Sequence, residues 1–164
     1  MDFVSILMGS KSDYEIMEEA AKVLQNFKIK YELVISSAHR SPQRTKEYIL
    51  NAEEKGAKVF IAAAGMAAHL AGACAAYTTK PVLGVPMPGT HLASMDSLFA
   101  TVQMPSGIPV ATLAIGKAGA INAAYLAVQI LAIKDTGLAQ KLKQDRLEKE
   151  KKLIFDSKEV EVLL

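Results

Sequence analysis

Apolar positions along the chain fall into two kinds of run: short near-continuous blocks, and longer stretches with apolar residues every three or four positions. Phe3 to Met8 is a block that stops at Gly9, and Asp13 to Phe27 then carries Ile16, Met17, Ala20, Ala21, Val23 and Leu24 at helical spacing. Ser12 or Asp13 suits the N-cap of that helix. Lys30 to Ile35 predicts a second strand and Pro42 to Lys55 a second helix, with Pro in the first turn and Gly56 closing it. Lys58 to Ala64 predicts a third strand, Ala67 to Tyr77 a helix, and Pro81 to Pro86 a fourth strand. Between Pro88-Gly89 and Pro105-Ser106-Gly107 a short helix is expected over Ser94 to Val102, with Asp96 as its cap. Ile108 to Ile115 predicts a fifth strand, and Ala118 to Ile133 an Ala-rich helix.

This alternation of strand and helix, with strands too apolar to leave one face wet, implies an α/β fold whose parallel sheet is covered on both sides. Thr136 to Lys152 differs, because Leu138, Leu142 and Leu147 stand among charged residues, as on an exposed amphipathic helix. Phe155 to Leu164 is apolar for a terminus and suggests a contact with another subunit. The expected organisation is one α/β domain over 1–164, with 134–164 a C-terminal helix and tail that extends from the core and packs on neighbouring subunits.

Composition narrows the function classes. Hydrophobic residues make up 51% of the 164 positions, and the mean hydropathy is +0.18. Aromatics are only 6% and Trp is absent, so the excess lies in Ala, Val, Ile and Leu. The net charge of +2 offers no broad surface for nucleic acid or an anionic membrane, so any anion must be bound locally. A single cysteine, Cys74, excludes an intrachain disulfide and reads as a buried residue of an Ala-rich helix. The N-terminus enters a strand pattern without a leader-like segment, and no stretch has the length and apolarity of a membrane span. A cytoplasmic protein is expected.

Three polar or Gly-marked turns follow the first three strands, and in a parallel sheet they lie along one edge, where α/β proteins bind ligands. Gly9-Ser10-Lys11-Ser12-Asp13 is either a plain capped turn or an anion site at a helix start. Ser36 to Pro42 contains His39 beside Arg40; an imidazole can act as acid and base in one cycle, and a guanidinium offers a fork for phosphate or carboxylate. Gly65-Met66-Ala67-Ala68-His69-Leu70 sets His69 among small residues. His91 reads as a loop residue and Lys117 as solvated, and the three histidines show no metal-ligand spacing. No GxSxG elbow marks a nucleophilic serine.

These motifs also occur together in a known family. MGSKSD, SAHRSP, GMAAHLAG, PVLGVP and MDSLFATVQMPSGIPVATLAIGKAGAINAA, in that order over roughly Val4 to Ile133, resemble the PurE-type (class I) N5-carboxyaminoimidazole ribonucleotide mutases. The resemblance implies a three-layer flavodoxin-like fold, a homo-octamer, and carboxylate transfer from N5 to C4 of an aminoimidazole ribonucleotide in purine biosynthesis, with no cofactor, ATP or metal. It implies His39 as general acid and base, and Ser10, Asp13, Ser37 and Arg40 around the ribose phosphate. It further implies that Gly65, Ala68, His69 and Leu70 line a pocket for carbon dioxide. The family pattern GGAAHLPG reads GMAAHLAG here, so if the second glycine needs positive φ, Met66 should force a different loop. Arg40 and Ala67-Ala68-His69 favour the mutase over the related carboxylases that take free carbon dioxide, and His39 beside Arg40 speaks against a non-catalytic nucleotide- or phosphate-binding module.

Overall fold

The strands β1 (Phe3–Met8), β2 (Tyr31–Ile35), β3 (Ala57–Ala64), β4 (Val82–Pro86) and β5 (Ala111–Thr112) all pair in parallel, in the order β2-β1-β3-β4-β5. This arrangement comes from a computed structural model that describes residues 2–162. The helices are α1 (Tyr14–Asn26), α2 (Pro42–Lys55), α3 (Leu70–Tyr77), α4 (Met95–Val102), α5 (Lys117–Ala132) and α6 (Thr136–Val160), with 3-10 turns at Lys11–Asp13 and His91–Ser94. Met1–Ala127 forms one compact unit and Val128–Leu164 a second. The strand order is that of the flavodoxin-like doubly wound folds.

In the first unit β1 is an interior strand and wholly buried, and its Ile6 pairs with Leu33 on one side and Ile61 on the other. Its side chains alternate between the two faces. Phe3 and Leu7 join Ile49 of α2 and Leu70, Ala71 and Cys74 of α3 in one cluster, while Val4, Ile6 and Met8 face the opposite layer. That layer holds α1, whose buried stripe is Met17, Ala20, Ala21, Val23 and Leu24, and α5 beside it. Tyr125 of α5 meets Phe27 edge-on at 5.6 Å between ring centres. Burial pushes the Cys74 thiol up to about 12, so it remains an un-ionised core residue at neutral pH.

Ser5 is the one polar side chain of β1, and it is fully buried. Its hydroxyl lies 2.8 Å from the Tyr48 hydroxyl of α2, which in turn donates to Glu32 of β2 at 3.3 Å. A buried hydroxyl without a partner costs about 1–3 kcal/mol, so this chain of bonds is what lets a serine stand in the middle of the sheet. Burial raises the Tyr48 phenol to about 12, which keeps it a donor.

Several boundaries differ from expectation. The fifth strand is two residues long instead of running over 108–115, because it is an edge strand paired only with β4 and Pro109 has no N–H to give. Beyond it, Leu113 and Gly116 extend the contact, donating to the Gly84 and Pro86 carbonyls. The third helix starts at Leu70 and not at Ala67, since the Ala68 N–H closes a turn onto Gly65 at 3.0 Å. Among the described residues of the second unit, α6 continues past Lys152 to Val160, capped by the Asp135 carboxylate on the Leu138 N–H at 2.9 Å. The apolar tail is therefore helical over 155–160, exposing Ile154, Phe155 and Val160; Leu163 and Leu164 lie outside the described residues.

Gly84 lets α4 approach the sheet. A Cβ there would stand 2.5 Å from Thr101 Cγ2 and 2.8 Å from Val110 Cγ1. Gly84→Ala is therefore expected to lower stability by about 1–3 kcal/mol through overpacking. Urea unfolding checks this, and an unchanged midpoint would contradict the close approach.

Candidate active site

Because the strands are parallel, the turns after β1, β2 and β3 meet along one edge, where they wall a cleft of about 700 Å³ together with the segment after β4. That volume suits a ligand of nucleotide size. Ser10, Asp13, Ser37, His39, Arg40, Gly65, Ala68, His69 and Leu70 all line it.

The first turn is closed by reciprocal hydrogen bonds. The Ser12 N–H donates to Ser10 Oγ at 3.4 Å, and the Ser10 N–H donates to Asp13 Oδ2 at 3.2 Å. The side chain that caps is thus Ser10, one 3-10 turn before α1, and not Ser12 or Asp13. Asp13 is half-buried, and burial raises its carboxyl above the ordinary value. The bonds from Ser10 and Ser12 and the charge of Arg40 oppose that shift without cancelling it.

The second turn is anchored from within. Ser36 Oγ meets Thr45 Oγ1 at 2.8 Å inside the protein, and Ser41 Oγ donates to the Ser37 carbonyl at 3.0 Å. Pro42 then begins α2 without a wasted N–H. Arg40 joins the first two turns: its backbone N–H and Nε donate to Ser37 Oγ at 3.1 and 3.4 Å, and Nη2 donates to the Gly9 carbonyl at 2.9 Å. A guanidinium carries five N–H groups, and these two side-chain bonds leave three for a ligand.

The third turn brings His69 to His39, thirty residues away in sequence. His39 Nε2 and His69 Nδ1 are hydrogen-bonded, with ring centres 4.6 Å apart and ring planes at 76°. One nitrogen of that contact must carry a proton and the other must not, so the two rings hold a proton between them. Among the described residues no group of three His, Cys, Asp or Glu is placed to hold a metal ion. Met66 sits at φ 54° and Ala68 at φ 36°, so the loop keeps the left-handed geometry at the position where a different loop was expected.

The fourth wall was not read from sequence. Met87 to His91 and Asp96 also line the cleft. Ser94 clamps this segment, accepting from the Gly89 N–H at 2.9 Å, and Ser97 Oγ donates to the Met87 carbonyl at 2.8 Å. Asp96 is not the cap of α4; that position belongs to Ser94, and Asp96 Oδ1 is buried with no partner among the described residues. Its signal in the sequence was slight, since an Asp in a first helical turn is ordinarily stabilised by the helix end alone.

The family model for AIR carboxylase matches residues 3–152. The chain belongs to the AIR carboxylase family. Within that family it is 51% identical over 154 residues to N5-carboxyaminoimidazole ribonucleotide mutase of Bacillus subtilis, covering 94% of each chain. To the N5-carboxyaminoimidazole ribonucleotide mutase of Pyrococcus abyssi it is 53% identical over 146 residues, 89% of this chain and 83% of that one. Among solved structures, PurE of Treponema denticola superposes with a TM-score of 0.88 at 27% identity, covering 99% of this chain and 100% of that one.

The raised Asp13 carboxyl has a consequence for stability. Its folded state binds the proton more tightly than the unfolded chain, so whatever stability the protonated form contributes is present below the unfolded value and lost as pH rises through the folded one. Asp13→Asn keeps an acceptor for the Ser10 N–H and removes that dependence. The variant is expected to be at least as stable as the parent at pH 7, with its advantage shrinking as pH falls through the acid range. Denaturant unfolding between pH 4 and 7 measures the difference, and a variant less stable at pH 7 than at pH 4 relative to the parent contradicts it.

Proposed function

We propose that the chain is an N5-carboxyaminoimidazole ribonucleotide mutase, converting its substrate to the 4-carboxy isomer in purine biosynthesis without ATP. The observation that carries the proposal is the hydrogen-bonded His39–His69 pair set beside Arg40, Ser10 and Asp13 in one cleft. That arrangement combines an anion site, an acceptor for sugar hydroxyls and a mobile proton.

In this reading the free N–H groups of Arg40, with the Ser10 and Ser37 hydroxyls, hold the phosphate, and the Asp13 carboxylate accepts from the ribose. His39 gives a proton to N5 as the carbon–nitrogen bond breaks and carbon dioxide leaves. C4 attacks the carbon dioxide, a carbon–carbon bond forms, and His39 takes the C4 proton, so the proton count closes. Gly65, Ala68, His69 and Leu70 hold the carbon dioxide between the two steps, raising its effective concentration at C4. The protein works as a homo-octamer in the cytoplasm, with the exposed apolar residues of 147–162 packed on neighbouring subunits.

The test is to offer purified protein N5-carboxyaminoimidazole ribonucleotide without ATP and follow the 4-carboxy isomer. Conversion is expected; none would sink the proposal, and activity only with aminoimidazole ribonucleotide plus carbon dioxide would place the chain with the free-carbon-dioxide carboxylases. His39→Asn should lower kcat by roughly 100-fold or more, as loss of a general acid and base does, with ligand affinity little changed. Retention of most of kcat removes His39 from the role.

A further inference from the structure

One carboxylate oxygen on the cleft wall lacks a partner. Asp96 stands in the first turn of α4 and lines the cleft, and its Oδ1 is buried with no hydrogen bond among the described residues. The helix start favours its charge without giving that oxygen a donor. The two serines beside it are engaged within the wall: Ser94 Oγ accepts from the Gly89 N–H at 2.9 Å, and Ser97 Oγ donates to the Met87 and Ser94 carbonyls at 2.8 and 3.0 Å. They close the segment without using Asp96. A buried polar atom left unpaired needs a reason, and in the wall of a cleft the reason is a ligand that brings the donor.

The strand order says which part of a ligand comes there. Along the carboxyl edge the turns follow in the order of β2, β1, β3 and β4, so Arg40 and Asp13 lie on one side of the β3 turn and the segment bearing Asp96 on the other. β4 is two strand spacings from β1, about 10 Å, comparable to the distance from the phosphate of a nucleotide to the far edge of its base. With phosphate on Arg40, the base reaches the fourth wall. Phosphate and carboxylate groups would be repelled by Asp96. An aminoimidazole ribonucleotide has strong donors only at its ribose hydroxyls and its exocyclic nitrogen, and the hydroxyls fall to Asp13, two strands away.

We propose that Asp96 is a specificity-determining residue of this site: its Oδ1 accepts a hydrogen bond from the exocyclic N–H of the aminoimidazole and turns that edge of the ring to the fourth wall. This role rests on the mutase reading above. The nitrogen bears at least one hydrogen before, during and after the carboxylate transfer, so the contact is open to every species on the path. A ring without the amine would leave the carboxylate buried and unpaired, and the site would reject it.

Binding of aminoimidazole ribonucleotide and of its analogue lacking the exocyclic amine is compared by calorimetry for the parent, Asp96→Ala and Asp96→Ser, at a pH where both rings are neutral. The parent should favour the amine roughly tenfold or more, as a hydrogen bond to a charged group does. Both variants should lose most of that preference, yet melt within about 4 °C of the parent without ligand, because no bond to Oδ1 is broken. Asp96→Ser keeps an oxygen at the helix start, so it decides the matter if Asp96→Ala weakens α4. A preference that survives in the variants overturns the contact, as does a parent with no preference. Melting of Asp96→Ser far below the parent, or a fall in its native mass, makes Asp96 a structural or subunit-contact residue and overturns it too. A parent that neither binds aminoimidazole ribonucleotide nor converts the N5-carboxy substrate overturns the mutase reading and this role with it, whereas a converting parent whose variants keep its preference removes Asp96 alone.

Discussion

All strands of the sheet run the same way, so each carboxyl end, and the turn that leaves it, must lie along one edge. The β2-β1-β3 neighbourhood then decides which turns can meet. With β1 between the other two, Gly9, Ser37 and Gly65 are brought side by side although they come from three separate strand–helix units. The Gly9 N–H donates to the Ala63 carbonyl and the Met87 N–H to the Ala64 carbonyl, which carries the ladder into the cleft wall itself.

Onto this edge the protein places groups that do more than hold the turns together. Asp13 is half-buried with its carboxyl raised, so its charged form is held against desolvation. Arg40 spends two side-chain bonds tying the first turn to the second and leaves the rest of its fork unused. Asp96 Oδ1 is buried without a partner among the described residues, and Met66 holds a left-handed backbone. The raised Asp13 carboxyl, the buried Asp96 oxygen and the left-handed Met66 are local departures from best stability, and with Arg40 they line one cleft. Such clustering is expected where structure is maintained for a ligand.

The core strands were legible because each is an apolar block ended by glycine or polar residues: Phe3–Met8 and Tyr31–Ile35 lie within a residue of expectation. The fifth strand was not, since apolar composition over 108–115 says nothing about how much of a partner remains at a sheet edge. The onset of α3 was missed for a related reason. Ala67 and Ala68 have high helix propensity, and the turn onto Gly65 overrides it. In the site, the three turns could be located from sequence because strand-to-helix order dictates where they fall. The His39–His69 bond could not, since it depends on the lateral offset of two turns from different units. The fourth wall, from Met87 to Asp96, was hidden because its backbone runs through consecutive left-handed residues, Leu92, Ala93 and Ser94, for which non-glycine side chains give no warning.

The histidine pair constrains how a proton can move. His39 Nε2 already faces His69 Nδ1, and a hydrogen bond there requires one protonated and one bare nitrogen. Two protonated faces would repel and two bare faces would have nothing to share, so the contact persists only while the pair holds a single proton between its facing atoms. A substrate atom that takes a proton from His39 must therefore either take the place of His69 Nδ1 at Nε2, or receive the proton from Nδ1 on the other side of the His39 ring. In the first case, on the mutase reading proposed above, His69 is freed from the pair for the substrate carboxylate. In the second the pair stays intact and His69 resets the protonation of His39 through Nε2. Either way, the reaction proposed above, which gives one proton to nitrogen and recovers one from carbon, is balanced by a pair that holds a single proton at its contact.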